Sequence, residues 1–148
     1  MPYGKDVKLH SAGYLGSRGS TRHPGVITIP DGSYVFLVVF DFQSIFQRKN
    51  PLAAISAFRL AFGTEPRAHL IVKTLNSQSD SSNFLKLKSA AAGMATIHII
   101  DGMLTNEEMQ SIHAVTNCLV SLHRSEGFGL ELLESMLRGV PVIATNCE

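Results

Sequence analysis

The chain has 148 residues, 45% of them hydrophobic, which is enough apolar content for one domain with a buried core. Its 13 Lys and Arg against 12 Asp and Glu leave a net charge of +1, so no summed field draws it to nucleic acid or to an anionic membrane, and any anion site must be local. The longest apolar run, 34–40, is too short to span a bilayer, the amino-terminal MPYGKDVKLH carries no apolar signal segment, and Cys118 and Cys147, far apart and without a C-x-x-C pair, read as reduced, buried thiols of a cytosolic protein.

Residues 1–32 hold Gly, Ser, Pro and His with no sustained periodicity and read as a loose lead-in or linker. From Ser33 onward order is expected. SYVFLVVFDF is a continuous β-branched and aromatic run, as in a strand buried on both faces. NPLAAISAFRLAF (50–62) follows as a helix, with Asn50 placed to cap it, Pro51 at its first position, and Leu52, Ile55, Phe58 or Arg59, and Phe62 at helical spacing. The alternation continues with AHLIVKTL as strand, NFLKLKSAAAG as a helix closed by Gly93, and TIHII as strand. TNEEMQSIHAVT then reads as a helix capped by Thr105, CLVSLH as strand, LELLESMLRG as a helix closed by Gly139, and PVIAT as a last strand.

Strands separated by single amphipathic helices require parallel pairing through right-handed crossovers. The expected fold is therefore α/β, a doubly wound parallel sheet of the Rossmann-like type over 33–148. Such sheets bind ligands beyond the carboxyl ends of their strands, where strand order reverses. Four loops leave those ends: DFQSIFQRKN, KTLNSQSDSS, DGMLTNEE and HRSEGFGL.

The last loop is the most informative. Gly127 and Gly129 permit positive φ or close approach of a ligand, and the amides of Phe128, Gly129 and Leu130 would face outward from the incoming helix, where anions are attracted. Glu134 falls one turn into that helix beside an apolar stripe of Leu130, Leu133 and Leu137, while Glu126 stays in the loop. A helical rise of about 1.5 Å per residue puts these carboxylates roughly 10 Å apart, the span of a ribose, a diphosphate and a sugar. A plainer reading stands beside this one. First-turn acids favour the helix dipole, and Glu134 stands four residues before Arg138, a normal surface ion pair.

SEGFGLELLESMLRGVPVIAT resembles the signature of the retaining glycosyltransferases of glycosyltransferase family 4, and FDFQSIFQRKNPLAAISAFRLAF resembles the first strand, phosphate loop and helix of a bacterial branch of it. MPYGKDV is weakly similar to the hinge segment entering the second lobe. The resemblance implies a GT-B fold, two Rossmann-like lobes facing a cleft, with this chain as the carboxyl-terminal lobe that holds a nucleotide-diphosphate sugar. It further implies that Glu126 and the backbone of Phe128, Gly129 and Leu130 face the donor sugar and phosphates. Glu134 would accept hydrogen bonds from the ribose, and Lys49 with Arg48 would neutralise the leaving diphosphate without a metal. TLNS and IIDGML would lie where the family seats the base. The expected partners are a nucleotide-diphosphate sugar and an acceptor glycan, lipid or protein held by an amino-terminal lobe; the expected location is the cytoplasm, including the inner membrane face. The sequence departs from the family where Gly-Arg usually follows the first strand and FDF stands instead. It also stops at TNCE, before the family's closing loop and helices, which implies a truncated domain, inactive alone.

Other readings carry less. Arg48 and Lys49 also fit a solvated loop pair. Arg124, at the end of the fourth strand, fits a phosphate contact and an exposed loop cation equally, and Asp101 with Gly102 fits a simple turn. The histidines, His98 and His113 among them, lack metal-ligand spacing, and there is no D-x-D, so no metal or other cofactor is expected. No G-x-G-x-x-G, G-x-S-x-G or P-loop occurs. A non-catalytic Rossmann-like binding or interaction module remains the alternative.

Overall fold

The computed structural model describes residues 4–8, 13–15 and 25–146. In chain order it contains β1 (Gly4–Lys8), β2 (Gly13–Leu15), β3 (Val26–Pro30), β4 (Tyr34–Asp41), α1 (Phe46–Lys49), α2 (Pro51–Phe62) and β5 (Ala68–Leu75). A single 3-10 turn at Ser77–Asp80 leads into α3 (Ser81–Ala91), followed by β6 (Ile97–Asp101), α4 (Asn106–Val115), β7 (Cys118–Ser121), α5 (Leu130–Leu137) and β8 (Val142–Ala144). The main sheet has the order β2-β6-β5-β4-β7-β8. Its last five members run parallel and only β2 is antiparallel, so the expected doubly wound parallel sheet is present.

Both faces of the sheet are covered. Phe40, Leu70, Val72, Ile97 and Ile99 meet Ala54, Ile55 and Phe58 of α2 and Leu87 and Ala91 of α3. On the opposite face Val35, Leu37, Ile71, Ile100 and Leu119 meet Ile112 and Val115 of α4. A fully buried aliphatic side chain contributes about 1.5–3 kcal/mol over an exposed one, and Leu37, Ile55, Ile71, Leu87 and Ile112 are all completely enclosed. Burial on both faces explains why β4 and β5 read as unbroken apolar runs instead of alternating ones.

Three sequence expectations need correction. Strands form within 1–32: β1 and β3 pair antiparallel from Gly4↔Pro30 to Lys8↔Val26, with Thr28 donating to Asp6 at 2.9 Å. Their inward residues Val7, Ile27 and Ile29 join the second core face. The apolar alternation in Val26–Pro30 is only one strand long, too brief to register as periodicity. Asn50 does not cap α2 through its side chain. It sits left-handed at φ 53°, ending α1 as it starts α2, and its amide donates instead to Leu122 O at 2.9 Å. Asparagine tolerates this conformation better than most residues. The third helix begins at Ser81, because Asp80 accepts from Asn83 N and caps it there. Thr105 does cap α4, in a reciprocal box with Glu108, and Gly93 and Gly139 follow their helices with positive φ. Cys118 is buried and unpaired, while Cys147 lies outside the described residues.

Candidate functional site

The order β6-β5-β4-β7-β8 reverses direction between β4 and β7, and this is where a doubly wound sheet opens for a ligand. The two strands are paired only at Phe36↔Cys118 and Leu37↔Leu119. Beyond that point their carboxyl ends diverge around a cleft of about 320 Å³, lined by Val39, Ser121, Lys49, Glu126, Gly129 and Glu131 among others.

Two loops far apart in sequence form its walls. The β4 loop winds into α1, whose last turn presents Arg48 and Lys49. The β7 loop carries Glu126. Lys49 Nζ lies 2.6 Å from Glu126 Oε2, Arg48 Nη1 lies 3.6 Å from Glu126 Oε1, and both cations are largely shielded from solvent. Backbone contacts stitch the loops together: Arg124 N donates to Arg48 O at 2.8 Å, and Arg48 Nη1 donates to Ser125 O at 2.9 Å. Burial alone would raise the Glu126 carboxyl. The hydrogen bonds from Lys49 and Gly127 and the charges of Lys49 and Arg48 outweigh it and hold the group below its ordinary value. An ionised carboxylate and two cations thus stand at the mouth of the switch point.

Phe128, Gly129 and Leu130 line the same cleft. Gly129 is the residue before α5, at φ 68°, and no side chain caps that helix. Its first-turn amides therefore depend on solvent or a ligand for partners. Arg124 is exposed and lines neither this cleft nor the next. The stripe of Leu130, Leu133 and Leu137 expected to bury α5 is instead 61%, 40% and 77% exposed. The helix docks through Leu132 and the 2% exposed Ser135, whose small side chain lets the backbone approach the sheet.

A second cleft, about 370 Å³, adjoins the first across Val39 and Glu131 and is walled by Lys73, Leu104, Met109, His113, Glu134 and Arg138. Glu134 lines this cleft and not the one that holds Glu126, and it stands 3.5 Å from Arg138, the ion pair of the plainer sequence reading. His113 lines the cleft with its imidazole held below its ordinary value, first by burial and then by Arg138, with Glu134 opposing. His98 is far away in the core, stacked on His69 with Nδ1 of His69 at 3.0 Å from its Nε2. Among the described residues no group of three or more His, Cys, Asp or Glu is placed to hold a metal ion, and no helix is long and apolar enough to cross a membrane.

The family model for "Glycosyl transferases group 1" matches residues 21–148. The chain belongs to this glycosyltransferase family. No curated protein matches it in sequence. Among solved structures it is similar to WaaG, a glycosyltransferase involved in lipopolysaccharide biosynthesis, with 22% identity and a TM-score of 0.61 over 80% of this chain and 30% of that one. It is similar also to the C-terminal domain of LpcC, a glycosyl transferase group 1 family protein from Francisella tularensis, with 22% identity and a TM-score of 0.59 over 76% of this chain and 58% of that domain. A third likeness is to the pneumococcal O-GlcNAc transferase GtfA in complex with UDP and GlcNAc, with 16% identity and a TM-score of 0.56 over 78% of this chain and 21% of that one. The chain thus spans under a third of WaaG and just over half of the LpcC domain. These likenesses show a Rossmann-like lobe of the GT-B type.

Two residues of this group 1 glycosyltransferase domain that sequence reasoning passed over reach the clefts. Lys73 lies at the carboxyl end of β5, 5% exposed, donating at 2.8 Å to both Thr74 O and Gly102 O. Burial pulls its ammonium below the ordinary value against Asp101, Asp41 and Glu131, which favour the charge. Glu131 forms the partition between the clefts, and its Oε2 is buried without a hydrogen-bond partner. Each left a trace in sequence: a lysine inside an apolar strand, and a third acid between Glu126 and Glu134. Asp41, in the FDF stretch at the end of β4, is engaged by the neighbouring loop. It accepts from Asn76 Nδ2 at 2.9 and 3.1 Å and fixes the loop after β5.

Proposed function

We propose that this chain is the nucleotide-sugar-binding, carboxyl-terminal lobe of a bacterial retaining glycosyltransferase of family 4, acting in the cytoplasm. The observation that carries this reading is the meeting of Lys49 and Arg48 with Glu126 at the switch point, 77 residues apart in sequence and beside the uncapped start of α5. A diphosphate seated in the first cleft would draw Lys49, Arg48 and the amides of Phe128, Gly129 and Leu130, while Glu126 faces the sugar. The nucleoside would occupy the second cleft, with its ribose on Glu134. As the bond from the anomeric carbon to the diphosphate oxygen breaks, the negative charge gathering on the leaving group is stabilised by fixed cations and dipoles, which need no reorganisation at that moment. The acceptor would be bound by residues outside this chain, so the chain alone should transfer no sugar.

Isothermal titration with UDP, GDP and ADP tests the reading. Binding of at least one, unchanged by EDTA, is expected; no binding of any would refute the donor-site assignment, and loss with EDTA would refute the metal-free part. The second reading, a lobe that keeps the shape without the chemistry, draws on Asp41. It lies in the FDF stretch that stands where the resembled family usually carries Gly-Arg, and it is committed to Asn76. Nucleotide binding without hydrolysis or transfer by any longer form of the protein would favour it.

A further inference from the structure

We propose that seating a nucleotide diphosphate in these clefts draws a proton from solvent onto Glu131, turning a repelling carboxylate into a hydrogen-bond donor and making donor affinity pH-dependent. The inference rests on the donor-binding reading above. Glu131 is the wall shared by both clefts, so a ligand spanning them must pass its carboxyl group. Its neighbours on either side are already neutralised: Glu126 by Lys49 and Arg48, Glu134 by Arg138. Among the described residues Glu131 forms no ion pair, and its Oε2 is enclosed with no partner. An enclosed oxygen of that kind is costly when charged; protonated, the carboxyl becomes a donor that a phosphate oxygen can satisfy.

Charged groups face Glu131 from several elements: Glu134 of α5 and Arg138 just after it, Lys49 of α1 and Lys73 of β5. Glu126 shares its first cleft, and His113 of α4 its second. Burial, and then Glu134, already hold the Glu131 carboxyl above its ordinary value, with Arg138, Lys49 and Lys73 offsetting part of the rise. A diphosphate brings further negative charge and engages Lys49, one of the cations that favour ionised Glu131. Both changes push the proton on.

UDP-glucose, GDP-mannose and ADP-glucose are suitable probes because their diphosphates carry no group that titrates near neutrality. Titrating the chain with each between pH 6 and 8, in two buffers of different ionisation enthalpy, should show net proton uptake. Affinity should tighten as pH falls, by at most about tenfold per unit for one proton. Glu131→Gln should lose the uptake and bind at pH 8 at least as tightly as the wild type, while His113→Gln should keep it. Affinity independent of pH in the wild type, equal uptake in Glu131→Gln, or loss of uptake only in His113→Gln would each overturn the inference and leave the donor reading standing. Failure to bind any of the three would remove both. Should Glu131→Gln prove unstable, absence of uptake in the wild type, or its loss in His113→Gln, still overturns the inference.

Discussion

At the amino ends of the parallel strands, His69 of β5 and His98 of β6 stack with ring centroids 5.3 Å apart and planes within 5° of parallel. At the carboxyl end of β5 stands Lys73, with Glu131 across the cleft from it. Both ends bury ionisable groups, on different terms. The histidines share one hydrogen bond, His69 Nε2 being enclosed without a further partner, and burial, with His69 beside it, pushes His98 down to about 4, so both remain neutral at physiological pH. At the carboxyl end Lys73 and Glu131 border an open cleft, and Thr74 Oγ1, Asp101 Oδ1 and Glu131 Oε2 are buried without a hydrogen-bond partner. A neutral, stacked pair enclosed in the core serves the fold; an ionisable group with unfilled hydrogen-bonding capacity beside a cleft serves a ligand.

The sharpest break between the two ends should come with acid. Above pH 6.5 His98 is neutral whether the chain is folded or not and contributes no pH dependence. Between 6.5 and about 4 the unfolded chain takes up a proton that the folded one refuses. Stability should therefore fall by about 1.4 kcal/mol per pH unit in that window, roughly 3 kcal/mol in all, and level off below it. Urea unfolding at pH 7, 5.5 and 4.5 should show this slope in the wild type and a clearly shallower one in His98→Gln; matching slopes would mean that the pair is not what acid attacks. The same acidification should tighten donor binding at the other end, so the two readouts move in opposite directions.

Removing the cation at the cleft comes next. Lys49→Ala should weaken nucleoside diphosphate binding roughly 10- to 100-fold, about 1.5–3 kcal/mol for a lost charge-assisted contact. An unchanged Kd by titration would reduce Lys49 to a structural partner of Glu126.

How far each end could be read from sequence follows the same division. β4, β5, β6 and their helices were legible because a strand buried on both faces has an unmistakable composition. Lys49 and Glu126 were brought to one ligand edge only by the family resemblance; their direct contact was not legible, because which carboxyl strand ends lie side by side is set by long-range strand order. Whatever depended on which face an element turns inward was hidden. Leu130, Leu133 and Leu137 form an apolar stripe in sequence, yet the helix is rolled so that Leu132 and Ser135 face the sheet and Glu131 falls into the partition. Asn50 looked like a side-chain cap because its left-handed backbone and its bond to Leu122 depend on a segment 72 residues away.

Glu134 tests the boundary between fold and ligand within one side chain, since it both pairs with Arg138 and faces the second cleft. Glu134→Gln keeps the shape and exchanges an ionised acceptor for a neutral one. If it holds a ribose, affinity should drop about tenfold, or 1.4 kcal/mol, with little change in Tm. As an exposed helix pair alone, it would cost at most a few tenths of a kcal/mol of stability and leave binding untouched.

The smallest effect, at Gly127, separates two glycines that the sequence presents as equals. Gly129 needs its lack of a side chain: at φ 68° any other residue is strained, and an added Cβ would stand 3.2 Å from Leu132 Cδ1. Gly129→Ala should therefore cost about 1–2 kcal/mol of stability and disturb the start of α5 where the amides face the cleft. Gly127 has no positive φ, and a Cβ there would meet nothing within 4 Å. Gly127→Ala should leave stability within about 0.5 kcal/mol of the wild type or slightly raise it, because alanine narrows the unfolded ensemble without straining the folded loop. Nucleotide affinity then shows what Gly127 is for. If a ligand comes against the loop backbone at that point, the added methyl should weaken binding while Tm holds. If affinity also holds, close approach to the ligand rests on Gly129 and the amides after it.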